Sequence, residues 1–308
     1  MFQSGKTFIL LGALTGLLLW IGSILDAGSG GSGFTTIMLA VSVGMNLVAY
    51  FKGKDMALKA ARAQPIDPAS PEGARIQRIV TELADRAGEQ MPELHISPSP
   101  QLNAFACGRN PEHAAVCVNQ GLLDALDDRE LRGVLGHELQ HVYNRDILIG
   151  TVAGVIAAVI GYLAFVARFA AIFGGGRDNN NNPIGMLAVA FIAPIAATII
   201  QLAVTRSRES LADETGAELT GDPMGLASAL RKLAAGANDP RRLRAGGVPA
   251  ETNNAYAHLY IAAPFGGRQA FAKLFSSHPP IEDRIARLEA IARDLDAPGE
   301  GGPAWPDA

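Results

Sequence analysis

His137-Glu138-Leu139-Gln140-His141 sets two imidazoles one helical turn apart with a carboxylate beside the first. Side chains at i and i+4 leave a helix on one face, so both rings can converge on one Zn²⁺ while Glu138 reaches the open metal position as a base. That is the working half of a metal-dependent peptide-hydrolysing site. Catalytic zinc takes three protein ligands and keeps a fourth position for water, so a third ligand must come from elsewhere in the chain.

Composition says what surrounds the motif. Of the 308 residues, 48% are hydrophobic, 6% aromatic and 18% charged, and the mean hydropathy is +0.17, apolar for an ordinary soluble protein. Residues 7–25, 34–51, 147–167 and 184–204 are uncharged runs of about 18 to 21 residues, enough to cross a hydrocarbon core as helix. A cleaved signal peptide competes for the first run, although that run exceeds a usual signal core. A pair of soluble core helices competes for the last two, but their apolar character extends all round. The expectation is four transmembrane helices.

Basic residues orient them. Lys6 precedes the first span, Lys52, Lys54, Lys59 and Arg62 follow the second, and Arg206 and Arg208 follow the fourth. These ends, with both termini, are expected on the cytoplasmic side. The organisation is then a membrane hairpin over 1–51, a first cytoplasmic catalytic part over 52–146, a second hairpin over 147–204, a second catalytic part over 205–296, and a disordered tail over 297–308. The lone pair Cys107 and Cys117 would stay reduced there, and neither is assigned a disulfide or a metal. A net charge of −4 without a dense basic run gives no nucleic-acid face.

Within the first cytoplasmic part, Ser70 and Pro71 start a helix with Ile76, Ile79, Val80 and Leu83 on its apolar face, and Gly88 ends it. Short apolar runs at 94–97, 104–107 and 114–118 predict a small antiparallel sheet. Asp127 and Glu130 form an acidic capping box for the motif helix, which runs to about Asn144. The fold class is thus α+β, mainly α: four transmembrane helices with a cytoplasmic, zincin-like catalytic domain. A final helix over 279–295 presents Ile281, Ile285, Leu288 and Ile291 to the catalytic block.

Topology supplies the third ligand. The spans at 147–167 and 184–204 form a hairpin, so the chain after Val204 returns near the point where the motif helix left. There Glu209 and Asp213 stand at i and i+4, placing Glu209 to ligate the metal and Asp213 to accept a hydrogen bond from a ligand histidine. A solvated juxtamembrane face is the competing reading of these charges. Asn103 to Ala106 reads either as an edge strand to which an extended substrate adds or as an interior strand with Asn103 closing a turn. His258 and Arg284 are candidate transition-state donors, against a structural His258 and an Arg284 paired with Glu282 or Asp283. Residues 235–254 read as a lid or as an inert linker.

These residues also carry a resemblance. Asn103-Ala104-Phe105-Ala106 with Gly108-Arg109-Asn110-Pro111, Gly136 to His141 with Asn144 and Asp146, Ser207-Arg208-Glu209 through Asp213, Asn254 to Leu259, and Ser277-His278-Pro279-Pro280 with Arg284 resemble the HtpX-type membrane zinc endopeptidases. That heat-shock-associated family is related to the CAAX prenyl proteases, and the resemblance covers nearly the whole chain. Ser210 departs from it, since an aromatic residue often follows the ligand glutamate. The resemblance implies one Zn²⁺ per subunit on His137, His141 and Glu209, with Glu138 as the catalytic residue. It also implies a multi-pass protein of the bacterial cytoplasmic (inner) membrane, acting in stress response and quality control. Misfolded or damaged membrane proteins would be its substrates and the lipid bilayer its setting, with association to other quality-control proteases left open. The alternatives are a narrow-specificity processing peptidase of CAAX-protease type and a non-catalytic zinc-stabilised scaffold.

Overall fold

The computed structural model describes residues 51–146, 183–236 and 279–296 continuously, with isolated helical positions between 9 and 48 and between 149 and 164. The expected spans at 7–25, 34–51 and 147–167 lie almost wholly outside the described residues, as do His258, most of the segment 235–254 and the tail from Ala297. Among the residues whose side chains the structure describes, which exclude 183–190, no helix is long and apolar enough to cross a membrane. The four-span arrangement therefore rests on the sequence.

Local signals set the first elements. Ser70 Oγ accepts the Gly73 N–H at 3.0 Å and Pro71 opens α1, Pro71–Ala87, which stops at Gly88 in the left-handed conformation, φ 65°. Ile76, Ile79, Val80 and Leu83 on its inner face are buried. The sheet comprises β1 (Gln64–Pro65), β2 (Glu93–Ser97), β3 (Ala104–Gly108) and β4 (Ala114–Asn119) in the order β1-β2-β4-β3. It is mixed rather than wholly antiparallel: β2 and β4 run parallel, while β1–β2 and β3–β4 are antiparallel. The loop with Pro98 and Pro100 carries the chain past the central position to the outer strand, and β4 then folds back into the gap beside β2. Strand composition marks where strands lie, not which ones pair.

Alternate residues of β3 and β4 face opposite sides of the sheet. Ala104, Ala106, Val116 and Val118 enter the main core, whereas Phe105, Cys107, Ala115 and Cys117 pack under Ala57 of the helical residues 51–60. With both faces covered, every residue of β4 is buried. The two thiols are free, and burial pushes each up to about 12.

After the short α2 (Gln120–Ala125) comes the motif helix α3, Asp128–Tyr143, started by the expected capping box: Asp127 Oδ1 accepts the Glu130 N–H and Glu130 Oε2 accepts the Asp127 N–H. Leu131, Leu135 and Leu139 are fully buried, each contributing about 1.5–3 kcal/mol of apolar burial. The second half of the domain is α4 (Pro183–Thr220), α5 (Pro223–Gly236) and α6 (Ile281–Asp296). α3 packs on α4 and α5, and α6 on α5 and α4. Glycines permit the approach: a Cβ on Gly133 would lie 2.5 Å from Leu226 N, and one on Gly136 2.5 Å from Thr220 Cγ2.

α4 is continuous from the expected span into the catalytic block. One 38-residue helix contains the expected span 184–204 and the segment bearing Glu209 and Asp213, with no break where the charges begin. Its first half leaves Phe191, Ile192, Ile195 and Ile199 exposed, whereas Arg208, Glu209, Ala212 and Asp213 in the second half are buried.

Candidate metal centre

His137 and His141 leave α3 one turn apart, and their Nε2 atoms face each other at 3.1 Å with the rings edge-on at 85°. Glu209, delivered by α4, closes the third side: Oε2 lies 3.6 Å from His137 Nε2 and Oε1 3.3 Å from His141 Nε2. His137 and Glu209 are buried and His141 is partly so. Zinc bonds of about 2.0–2.1 Å in a tetrahedron separate neighbouring donors by about 3.3 Å. The spacings here, between 3.1 and 3.6 Å, match that value.

The outer faces of the rings strengthen the fit. His137 Nδ1 lies 3.0 Å from Asp213 Oδ1, and His141 Nδ1 lies 2.9 Å from Asp146 Oδ2. A carboxylate at each Nδ1 holds the proton there and leaves each Nε2 lone pair directed inward, as a metal-ligating imidazole requires. Two such lone pairs and a carboxylate, drawn together in a buried space, form a donor set suited to a divalent cation and above all to zinc.

Charge around the site follows from burial and these pairings. Burial opposes protonation of His137, but the hydrogen bonds to Asp213 and Glu209 outweigh it and raise its pKa above the ordinary value. His141 behaves likewise, with Glu209 outweighing burial. Burial also opposes ionisation of Asp213, yet the Arg284 guanidinium and His137 hold its carboxyl at about 2. Arg284 is fully buried and forks onto Asp213, Nε to Oδ2 at 2.8 Å and Nη2 to Oδ1 at 2.6 Å, with Nη1 3.5 Å from Glu209 Oε2.

Glu138 lies on the side of α3 toward the sheet. Its Oε2 accepts the Ala106 N–H at 3.0 Å, and burial raises its carboxyl pKa, offset in part by His137, His141 and that N–H. Donating to Glu138 turns the Ala106 N–H away from β4, so β3 offers its other edge toward the motif helix. Among the described residues β3 is one of the two outer strands, β1 being the other.

The expected site residues are therefore gathered with one division. His137, Glu138, His141, Glu209, Asp213 and Arg284 meet in one place, with Arg284 bound to Asp213 rather than to Glu282 or Asp283. Asn103 is buried at the head of β3, where its N–H donates to Gln101 O and its carbonyl accepts the Asn119 N–H, so it closes a turn on an outer strand. Sequence reading gave no role in the site to Asp146, Arg208 or the Ala106 N–H. Asp146 and Arg208 stand there only among the residues that carry the resemblance, and by position Asp146 belongs to a short polar stretch before an apolar run.

Comparison with known proteins bears on this geometry. Residues 70–292 match peptidase family M48. A protease HtpX homolog of Kineococcus radiotolerans is 48% identical over 291 residues, covering 93% of this chain and 96% of the relative. One from Thermococcus kodakarensis is 46% identical over 293 residues, covering 94% and 96%. Among solved structures, that of S. mikatae Ste24p superposes with a TM-score of 0.56 at 18% identity, covering 92% of this chain and 65% of that chain, a likeness of fold. The chain belongs to peptidase family M48, as a metalloprotease of the HtpX type.

Proposed function

We propose that the protein is a membrane-embedded zinc endopeptidase that cleaves misfolded or damaged membrane proteins on the cytoplasmic side. The convergence of His137, His141 and Glu209 beside Glu138 carries this reading. Zinc bound there would supply a Lewis acid and lower the pKa of water toward neutrality. Glu138, with Oε2 held by Ala106, takes the proton of the attacking water at Oε1 and returns it to the departing amine. An extended substrate adds along β3 through backbone hydrogen bonds, which give affinity with little sequence preference and suit a clientele defined by unfolding.

Embedding is supported by the four uncharged runs and by the exposed Phe191, Ile192, Ile195 and Ile199 on α4. The two catalytic parts, 52–146 and 205–296, then share one cytoplasmic block, with hairpins 1–51 and 147–204 in the bilayer. Purified full-length protein and its Glu138→Gln variant, incubated with zinc and an unfolded membrane protein, test the activity: the variant keeps its zinc and loses cleavage by about 10²-fold or more. Equal digestion by both would defeat the mechanism, and unchanged zinc content in Glu209→Ala would remove the third ligand. A cysteine at position 30 labels from outside and one at 238 does not; the reverse pattern overturns the orientation. Preference for a substrate lipidated at its C-terminus over unfolded membrane proteins would favour a processing peptidase instead.

A further inference from the structure

We infer that Asp146 and Arg208 are a positioning pair for His141, setting its ring for zinc from outside the ligand set. The inference rests on the reading of His141 as a zinc ligand and adds the residues on which that ligand depends.

The chain goes to some cost to place Asp146. Immediately before it, Arg145 takes a left-handed conformation, φ 56°, which a residue with a Cβ seldom adopts. This turn ends α3 and swings Asp146 back beneath His141, to 2.9 Å from Nδ1. Asp146 is only 6% exposed. A carboxylate so far from water needs a partner to offset its lost hydration.

Arg208 is that charge. Itself 5% exposed, it forms an ion pair through Nη2 with Asp146 Oδ1 and donates to the Asn144 carbonyl at 3.1 Å. Asn144 is the C-cap of α3, where carbonyls lack helical partners and a cation suits the helix dipole. Arg208 thus fixes both the end of the helix bearing His141 and the carboxylate that orients its ring.

A second arrangement of the same form supports the assignment. His137 Nδ1 meets Asp213, and Asp213 is forked by Arg284. Each ligand histidine has one carboxylate behind it and one arginine behind the carboxylate. The two sets are assembled differently: for His137 the carboxylate comes from α4 and the arginine from α6, for His141 the carboxylate follows α3 and the arginine comes from α4. Arg208 and Asp213 flank Glu209, so α4 contributes to the support of both histidines and the third ligand together.

The test is zinc affinity of the full-length protein, measured by competition with a chromophoric chelator, for wild type, Asp146→Asn, Arg208→Met, Arg208→Lys, the double variant Asp146→Asn with Arg208→Met, and His141→Ala. Asp146→Asn and Arg208→Met should each bind zinc about 10- to 100-fold more weakly. Arg208→Lys should recover part of the loss, and the double variant should bind no more weakly than the weaker single one. The cobalt-loaded Asp146→Asn protein should show shifted d–d absorption. Asp146→Asn is isosteric and remains readable whatever Arg208→Met does to folding. If it binds zinc within about twofold of wild type while His141→Ala loses zinc, the pair is only a helix clamp and the inference fails, even where the melting temperature drops. If His141→Ala itself keeps wild-type zinc affinity, the ligand reading fails instead.

Discussion

Gly216 lies against the backbone of His137: a Cβ added to the glycine would stand 3.1 Å from His137 Cα and 3.2 Å from its nitrogen. Gly136, one residue earlier on α3, faces Gly216 and Thr220 in turn. The crossing of α3 and α4 that joins the histidines to Glu209 thus depends on the absence of side chains at its centre. A methyl group at position 216 has backbone in its way, which cannot rotate aside. Gly216→Ala should destabilise the protein by roughly 1–3 kcal/mol and weaken zinc binding by separating α3 from Glu209. Thermal unfolding and zinc titration of the same sample check both, and a variant with unaltered zinc affinity would show that the crossing has slack.

How much of the fold and the site is legible in the sequence depends on the range of the interaction. Ser70, Gly88 and the Asp127–Glu130 box act within a few residues of themselves, and the structure has each in its expected place. Glu209 and Asp213 are reachable because an expected hairpin turns a distant pairing into a topological one. The parallel pairing of β2 with β4 is not, since neither strand's composition encodes its neighbour. Arg284 shows the same limit. Glu282 and Asp283 are its nearest acids in sequence, but residues one and two apart on a helix point to different sides, and the face bearing Arg284 is the one packed against α4. The role of Asp146 is hidden because its arginine, Arg208, lies more than sixty residues further along the chain, on α4.

Ala106→Pro isolates the hydrogen bond to Glu138. Proline removes the N–H, but that N–H points away from β4, and an outer strand tolerates proline at such a position. The bond favours ionised Glu138, so losing it raises the carboxyl pKa and moves the acid limb of the pH–rate profile upward. A hydrogen bond to a charged group corresponds to about one to two pH units. A profile that keeps its acid limb while only KM rises would assign Ala106 to substrate binding alone.

Arg284→Met leaves Asp213 buried without its guanidinium. Breaking a buried pair from one side costs about 3–5 kcal/mol, and Arg284→Met combined with Asp213→Asn should lose less than Arg284→Met alone because no unpaired charge remains. The sign with pH is set by Asp213. Its folded pKa of about 2 lies below the ordinary 3.8, so its contribution is fully present above 3.8 and is lost as pH falls toward 2. Wild type should therefore lose stability across that interval, and the double variant less steeply. Denaturant unfolding at stepped pH measures both slopes; equal slopes would mean that Asp213 does not carry the dependence.

Zinc and protons compete for the same imidazole nitrogens, and the direction of the histidine shifts fixes how the competition varies with pH. His137 and His141 both have folded-state pKa values raised above 6.5 by their carboxylate partners. Without metal, the stability they contribute is fully present below 6.5 and is lost as pH rises through the raised values. Zinc requires the same nitrogens deprotonated, so its stabilisation grows as that contribution fades. The gain in melting temperature on adding zinc should therefore widen as pH rises, with its midpoint above 6.5. In Asp213→Asn the midpoint should fall, because His137 loses the partner that raises it, while the gain at the upper end shrinks as the ring is less well held. Melting curves with and without zinc at each pH decide the matter. A gain that stays flat across the range would show that zinc does not displace protons from these two rings.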